Sequence, residues 1–119
     1  MPFLNSILGW FNTKRLYQID LFRKYPAEVQ FDTLMGLLEK AKDTEYGRLY
    51  GFDSIKSFEE FQMRIPILDY EGFKPYIDRL RQGEENLLWP NEIKWFAKSS
   101  GTTQNKSKFI PVSFDALED

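Results

Sequence analysis

The apolar residues of this chain change their spacing once, near Gln82, and that change constrains the fold more than any other feature. Before it they recur at helical intervals. After it they gather in short bulky runs around a stretch of Ser, Gly and Thr. Residues 6–24 carry Ile7, Trp10 or Phe11, Leu16, Ile19 and Phe22 at helix-like spacing. Pro26 interrupts this stripe and suits the first turn of a following helix. Residues 27–42 then place Phe31, Leu34, Met35, Leu38 and Ala41 on one face, with Gly36 weakening the helix slightly. Both stripes read as core faces. Gly47 and Gly51 mark residues 43–53 as a loop. Ser57 and Glu60 form a capping-box pattern for a short helix that must end before Pro66. Asp69 caps a helix from Tyr70 to about Gln82, stopped by Gly83, with Pro75 making its start irregular.

Past Gly83 the pattern is that of a hairpin. Residues 93–98 and 108–112 are candidate strands, and Pro111 puts the second at an edge or a bulge. Ser113 can cap a helix that begins at Phe114. No internal repeat or low-complexity tract is present. The predicted fold class is therefore α+β: a helical N-terminal part followed by a β-hairpin around a Ser/Thr/Gly-rich loop.

Composition removes several kinds of chemistry. The chain has 119 residues, enough for one small domain at most. Apolar residues make up 42% and aromatics 17%, which fits a globular chain rather than a disordered one. The aromatic share implies surface that further sequence would cover. A net charge of -2 argues against nucleic acid as a partner. There is no cysteine and no histidine. Disulfides, thiolate metal sites, the usual zinc ligand sets and Ser-His or Cys-His pairs are all excluded within the chain. No metal ligands and no catalytic side chain are assigned. The chemistry left is that of carboxylates, hydroxyls, lysines and backbone amides. Residues 1–12 are rich in aromatic and aliphatic side chains but too short to span a bilayer, and they lack the marks of a signal peptide. They read as a helix packing on the body of the protein, ahead of the alternative of a membrane-surface anchor. No membrane partner and a cytoplasmic location are expected.

One stretch carries chemistry. Residues 94–113 form a strand-loop-strand segment whose loop holds Ser99, Ser100, Gly101, Thr102 and Thr103, followed by Lys106 and Lys108. Gly101 allows close approach of backbone to a ligand. Hydroxyls and successive amides can line an anion-binding hollow, and the lysines add positive charge. Together they suit a polyphosphate; the plainer alternative is a polar hairpin loop with solvated lysines. A Walker A loop is a poor match, because the second glycine is missing and a strand, not a helix, follows.

The Ser99-Ser100-Gly101-Thr102-Thr103 run, then Lys108 and Phe109-Ile110-Pro111, resembles the phosphate loop of the auxin-responsive acyl-acid amido synthetase family within the adenylate-forming enzymes. The spacing from Ser99 to Lys108 fits this family and is one residue longer than in the commoner acyl-CoA synthetase loop. Upstream, Ala41-Lys42-Asp43-Thr44-Glu45-Tyr46-Gly47, Ile65-Pro66-Ile67, Tyr70-Glu71 and Pro75-Tyr76-Ile77-Asp78-Arg79 resemble further family segments in the same order. The likeness covers most of the chain from about Phe31 onward. Asn105 departs from it, standing where the family has a second loop glycine; asparagine tolerates left-handed backbone better than most residues.

The family is best known from plants and also occurs in bacteria, and a bacterial member is expected here. The resemblance implies a ligase that activates a carboxylic acid with ATP, releases pyrophosphate, and joins the acyl group to an amino acid as an amide. ATP and Mg2+ would be its cofactors, and a small-molecule acid and an amino acid its partners. Ser99, Ser100, Gly101, Thr102 and Thr103 would hold the phosphates, and Lys108 would add charge stabilisation. On this reading residues 1–119 are the incomplete N-terminal portion of a larger α/β adenylate-forming domain. The chain would be inactive alone and open to self-association through exposed strand edges. Two alternatives stand beside it: a non-enzymatic helical interaction module, and a fragment of a phenylacetate-type acyl-CoA ligase. Glu71, Asp78 and Arg79 read as a solvated helix face. Trp89, Trp95 and Phe96 read as core or interface packing.

Overall fold

A computed structural model of the chain describes residues 2–101 and 106–118. Its elements run in the order α1 Pro2–Lys24, α2 Pro26–Ala41, α3 Glu45–Leu49, a 3-10 turn Phe52–Ser54, α4 Phe58–Arg64, α5 Tyr70–Arg81, β1 Trp95–Lys98, β2 Phe109–Val112 and α6 Phe114–Glu118. The chain divides into two compact units, Met1–Gly36 and Leu37–Asp119, with the boundary inside α2.

In the first unit, α1 begins earlier than the periodicity suggests, and Pro26 takes the first position of α2, where its missing N–H costs nothing. None of the side chains of α1 is buried, so the stripe does not form a core face of its own.

The second unit has a core of Leu38, Ala41, Tyr46, Ile55, Ile77, Leu80 and Leu87, with fully buried Thr44 among them. The stretch 43–53, expected as a loop, folds into α3 and the 3-10 turn because Thr44 organises it. Its Oγ1 donates to the Ala41 carbonyl oxygen (2.6 Å) and accepts from the Gly47 amide (3.0 Å), closing one helix and opening the next. Gly47 is obligatory there, since a Cβ would collide with the Ala41 carbonyl oxygen and come within 2.9 Å of the Lys42 carbonyl.

The expected caps form, with one change. Ser57 Oγ accepts from the Glu60 amide at 3.2 Å, but the Glu60 carboxylate accepts from the Lys56 amide rather than from Ser57. The Asp69 carboxylate accepts from the Gly72 amide at 2.9 Å, and Ser113 Oγ accepts from the Ala116 amide at 3.1 Å. Helix α5 starts cleanly at Tyr70 and runs through Pro75, giving up one backbone hydrogen bond. Gly83 follows its end with φ 97°, a left-handed conformation that glycine adopts freely.

Strands β1 and β2 pair antiparallel, Trp95 with Val112, Phe96 with Pro111, Ala97 with Ile110 and Lys98 with Phe109. One further pair, Ser99 with Lys108, extends the ladder into the loop. Helix α5 packs on β2. Trp89 Nε1 donates to Asp115 on α6 at 2.9 Å, and Trp95 stacks on Phe114 at 6.4 Å between ring centroids. Both tryptophans thus make packing contacts, though Trp89 also borders a small cavity and Trp95 stays 46% exposed.

Candidate functional site

The loop expected to carry chemistry sits at the tip of the hairpin, and its base is built from the loop's own residues. The Ser99 amide donates to the Lys108 carbonyl oxygen at 2.8 Å. In return the Lys108 amide donates to Ser99 Oγ at 2.9 Å. Ser99 thus uses its hydroxyl where an ordinary ladder would use its carbonyl, and the oxygen keeps its own proton to donate. Ser100, Gly101, Lys106 and Lys108 are exposed at the tip. Thr102, Thr103, Gln104 and Asn105 lie outside the described residues.

Strand alternation explains the flank of the hairpin. Paired residues that exchange hydrogen bonds alternate with pairs whose backbone groups face outward. With Ser99 and Lys108 bonded, Phe109 and Pro111 must face outward. That places the missing N–H of Pro111 where no ladder bond is lost. It also leaves the Phe109 amide and carbonyl at the free edge, where Tyr70 Oη meets both at 3.0 Å.

Cations gather around this hairpin without carboxylate partners. Arg81 lies 3.8 Å from the centroid of the Phe109 ring and Lys98 Nζ lies 5.8 Å from it. Lys108 Nζ lies 5.5 Å from the Tyr70 ring centroid. Elsewhere in the second unit Lys40, Lys42, Arg64, Lys74 and Arg79 are each matched to an acid. Among the described residues, Arg81, Lys98, Lys106 and Lys108 are in no such pair, a state they share with Arg48, Lys56 and Lys94 of the same unit. Aromatic faces hold the first two cations in place, and their charge remains available to an anion.

The Glu71, Asp78 and Arg79 group divides. Asp78 pairs with Lys74 at 2.9 Å on the solvated face of α5. Arg79 does more than the sequence suggested: its guanidinium grips Glu45 at 2.6 and 2.9 Å and Glu84 at 2.8 Å, tying α3, α5 and the following turn. The hydrogen bonds from Arg79 hold the Glu45 carboxyl below its usual range. These pairs give Arg79 a structural role.

Sequence reasoning missed Tyr70, Arg81 and Lys98 as neighbours of the loop. The signal within reach was weak: alternation placing Phe109 outward, and the aromatic residue next to a helix cap. An apolar cavity of about 210 Å³ near Leu80, Trp89 and Pro111 is too small for a nucleotide. No cluster of three or more acidic side chains able to hold a metal ion occurs among the described residues.

An antiparallel hairpin with a hydroxyl-locked base, free donors and unpaired cations at its tip is equipped to grip a polyanion. The chain belongs to the GH3 family, whose N-terminal domain matches residues 15–119. It is 31% identical over 106 residues to a jasmonoyl–L-amino acid synthetase of Nicotiana attenuata, covering 88% of this chain and 18% of that protein. It is 36% identical over 104 residues to a putative indole-3-acetic acid-amido synthetase of Arabidopsis thaliana, covering 87% and 18%. Among solved structures it resembles a GH3.15 acyl acid amido synthetase with a TM-score of 0.75 and 28% identity, covering 87% of this chain and 19% of that one. The chain therefore spans about a fifth of the length of these relatives. The expected family and fold class are both found.

Proposed function

We propose that this chain is the phosphate-gripping N-terminal part of an ATP-dependent enzyme that joins a small carboxylic acid to an amino acid as an amide. The observation that supports it most is the family match over residues 15–119, which takes in the whole hairpin. The relatives are acyl-acid amido synthetases by name, and the acid and amino acid substrates carry over from them. Ser99, Ser100, Gly101, Thr102, Thr103 and Lys108 are assigned to the ATP phosphates. Magnesium would arrive on the nucleotide, held by phosphate oxygens and neutralising their charge. The chain's own residues contribute fixed donors: Ser99 is oriented by its bond from the Lys108 amide, and its proton is free for a phosphate oxygen. Donors fixed before reaction stabilise charge moving onto the departing pyrophosphate without reorganising. Cytoplasmic location belongs to the same proposal; no helix among the described residues is long and apolar enough to cross a membrane.

The test is acid-dependent ATP–pyrophosphate exchange by the full-length gene product across a panel of aromatic and aliphatic carboxylic acids. Mass spectrometry then follows the products with amino acids or with coenzyme A. Exchange plus an amide product supports the proposal. Thioester formation in place of the amide refutes it in favour of a CoA ligase, and no exchange with any acid removes the enzymatic reading.

A further inference from the structure

One hydroxyl holds the free edge of β2. Tyr70 Oη donates to the Phe109 carbonyl oxygen and accepts from the Phe109 amide, both at 3.0 Å. These two bonds replace the neighbouring strand that this edge lacks among the described residues. Phe109 adjoins Lys108, whose amide and carbonyl are both taken by Ser99. The Tyr70 ring also lies 5.5 Å from Lys108 Nζ. Tyr70 thus meets the C-terminal arm of the loop through backbone and through an ammonium group. Its own backbone is fixed at the first turn of α5, directly after the Asp69 cap.

We infer that Tyr70 is a positioning residue for the nucleotide, setting the placement of the Lys108 arm so that the loop donors are preorganised for phosphate. This rests on the phosphate-binding reading given above. The chain of contacts is short: Tyr70 Oη to Phe109, Phe109 to Lys108, Lys108 to Ser99. A shift of the arm displaces both the lysine and the serine hydroxyl together. A misplacement of about 1 Å that originates away from the reacting groups can cost an organised site on the order of a hundredfold.

The experiment compares wild type, Tyr70→Phe and Tyr76→Phe in the full-length gene product by fluorescence titration with a methylanthraniloyl-labelled ATP. Tyr76 is a half-buried tyrosine on the same helix, in the aromatic cluster around Tyr46, and serves as the control for loosening α5. Tyr70→Phe should weaken nucleotide binding about tenfold, and raise KM for ATP by a similar factor while KM for the carboxylic acid stays within about twofold. Tyr76→Phe should leave nucleotide affinity unchanged. Tyr70→Phe with unaltered ATP affinity overturns the inference, as does an equal loss in both variants. A fall in kcat with KM for ATP unmoved shows a smaller folded fraction, a purely structural role, and also overturns it. Wild type that binds ATP but makes no amide leaves the positioning role standing and removes only the synthetase reading. Wild type that binds no ATP overturns both.

Discussion

Tyr46 carries the one buried side-chain polar atom without a hydrogen-bond partner among the described residues. Its ring sits in a cluster with Tyr50 (4.7 Å between centroids), Tyr76 (5.6 Å), Phe52 (5.9 Å) and Phe73 (6.1 Å). The residue is only 7% exposed. Replacing Tyr46 by Phe keeps every one of these ring contacts and removes only the oxygen. An unpaired buried hydroxyl costs about 1–3 kcal/mol in lost hydration. The space left by one oxygen, on the order of 10 Å³, returns only about 0.2 kcal/mol of that at roughly 24 cal/mol per Å³. Tyr46→Phe should therefore stabilise the protein by about 1–3 kcal/mol, an unusual sign for a core substitution. Urea unfolding followed by circular dichroism measures it: the midpoint should rise while the slope stays constant. Destabilisation by more than about 1 kcal/mol would falsify the argument, because it would show that the hydroxyl has a hydrogen-bond partner in the native protein. The same burial, with Tyr50 and Tyr76 alongside, pushes the Tyr46 phenol above its usual value of 10. Spectrophotometric titration of wild type against Tyr46→Phe should show that the difference between them ionises late.

Two further outcomes follow from the supports of the second unit. Gly47→Ala should destabilise by about 2–3 kcal/mol, since its Cβ meets backbone that cannot retreat; a midpoint shift near zero in a urea melt would contradict the close approach. Arg79→Gln should lower the thermal midpoint at neutral pH by freeing Glu45 and Glu84, the effect shrinking in high salt. Because Arg79 depresses the Glu45 carboxyl, its contribution is fully present above about pH 4.5 and is lost as pH falls through the lowered value. Melts at a series of pH values should find the wild-type advantage closing on the acid side; an advantage that grows there contradicts the sign.

Much of the second unit was legible in the order of residues, and the reason is distance along the chain. Ser57, Asp69 and Ser113 each satisfy an amide three residues on, so the partner is already written next to the cap. The hairpin followed from two bulky runs separated by polar residues, and the register then dictated that Phe109 and Pro111 face outward. The loop 43–53 was misread because two glycines look like punctuation. Gly47 is instead a helix residue that lets α3 pass close to the end of α2, and no local pattern announces an approach between two backbones. The stripe of α1 was legible as a helix but not as a surface, since periodicity shows that a face is apolar without showing what lies against it.

The sequence by itself determined the helix caps, the change from helical to hairpin spacing, and the family to which the loop of Ser99 to Lys108 belongs. Those depend on neighbours within a few positions or on a contiguous motif. Only the tertiary structure decided that Tyr70 reaches Phe109 across 39 residues, that Arg79 grips Glu45 across 34, and that Trp89 bonds Asp115 across 26. Such pairings exist only after packing has brought segments remote in sequence together. A side chain's chemistry is written in the sequence, but the partner that gives it a role is chosen by packing.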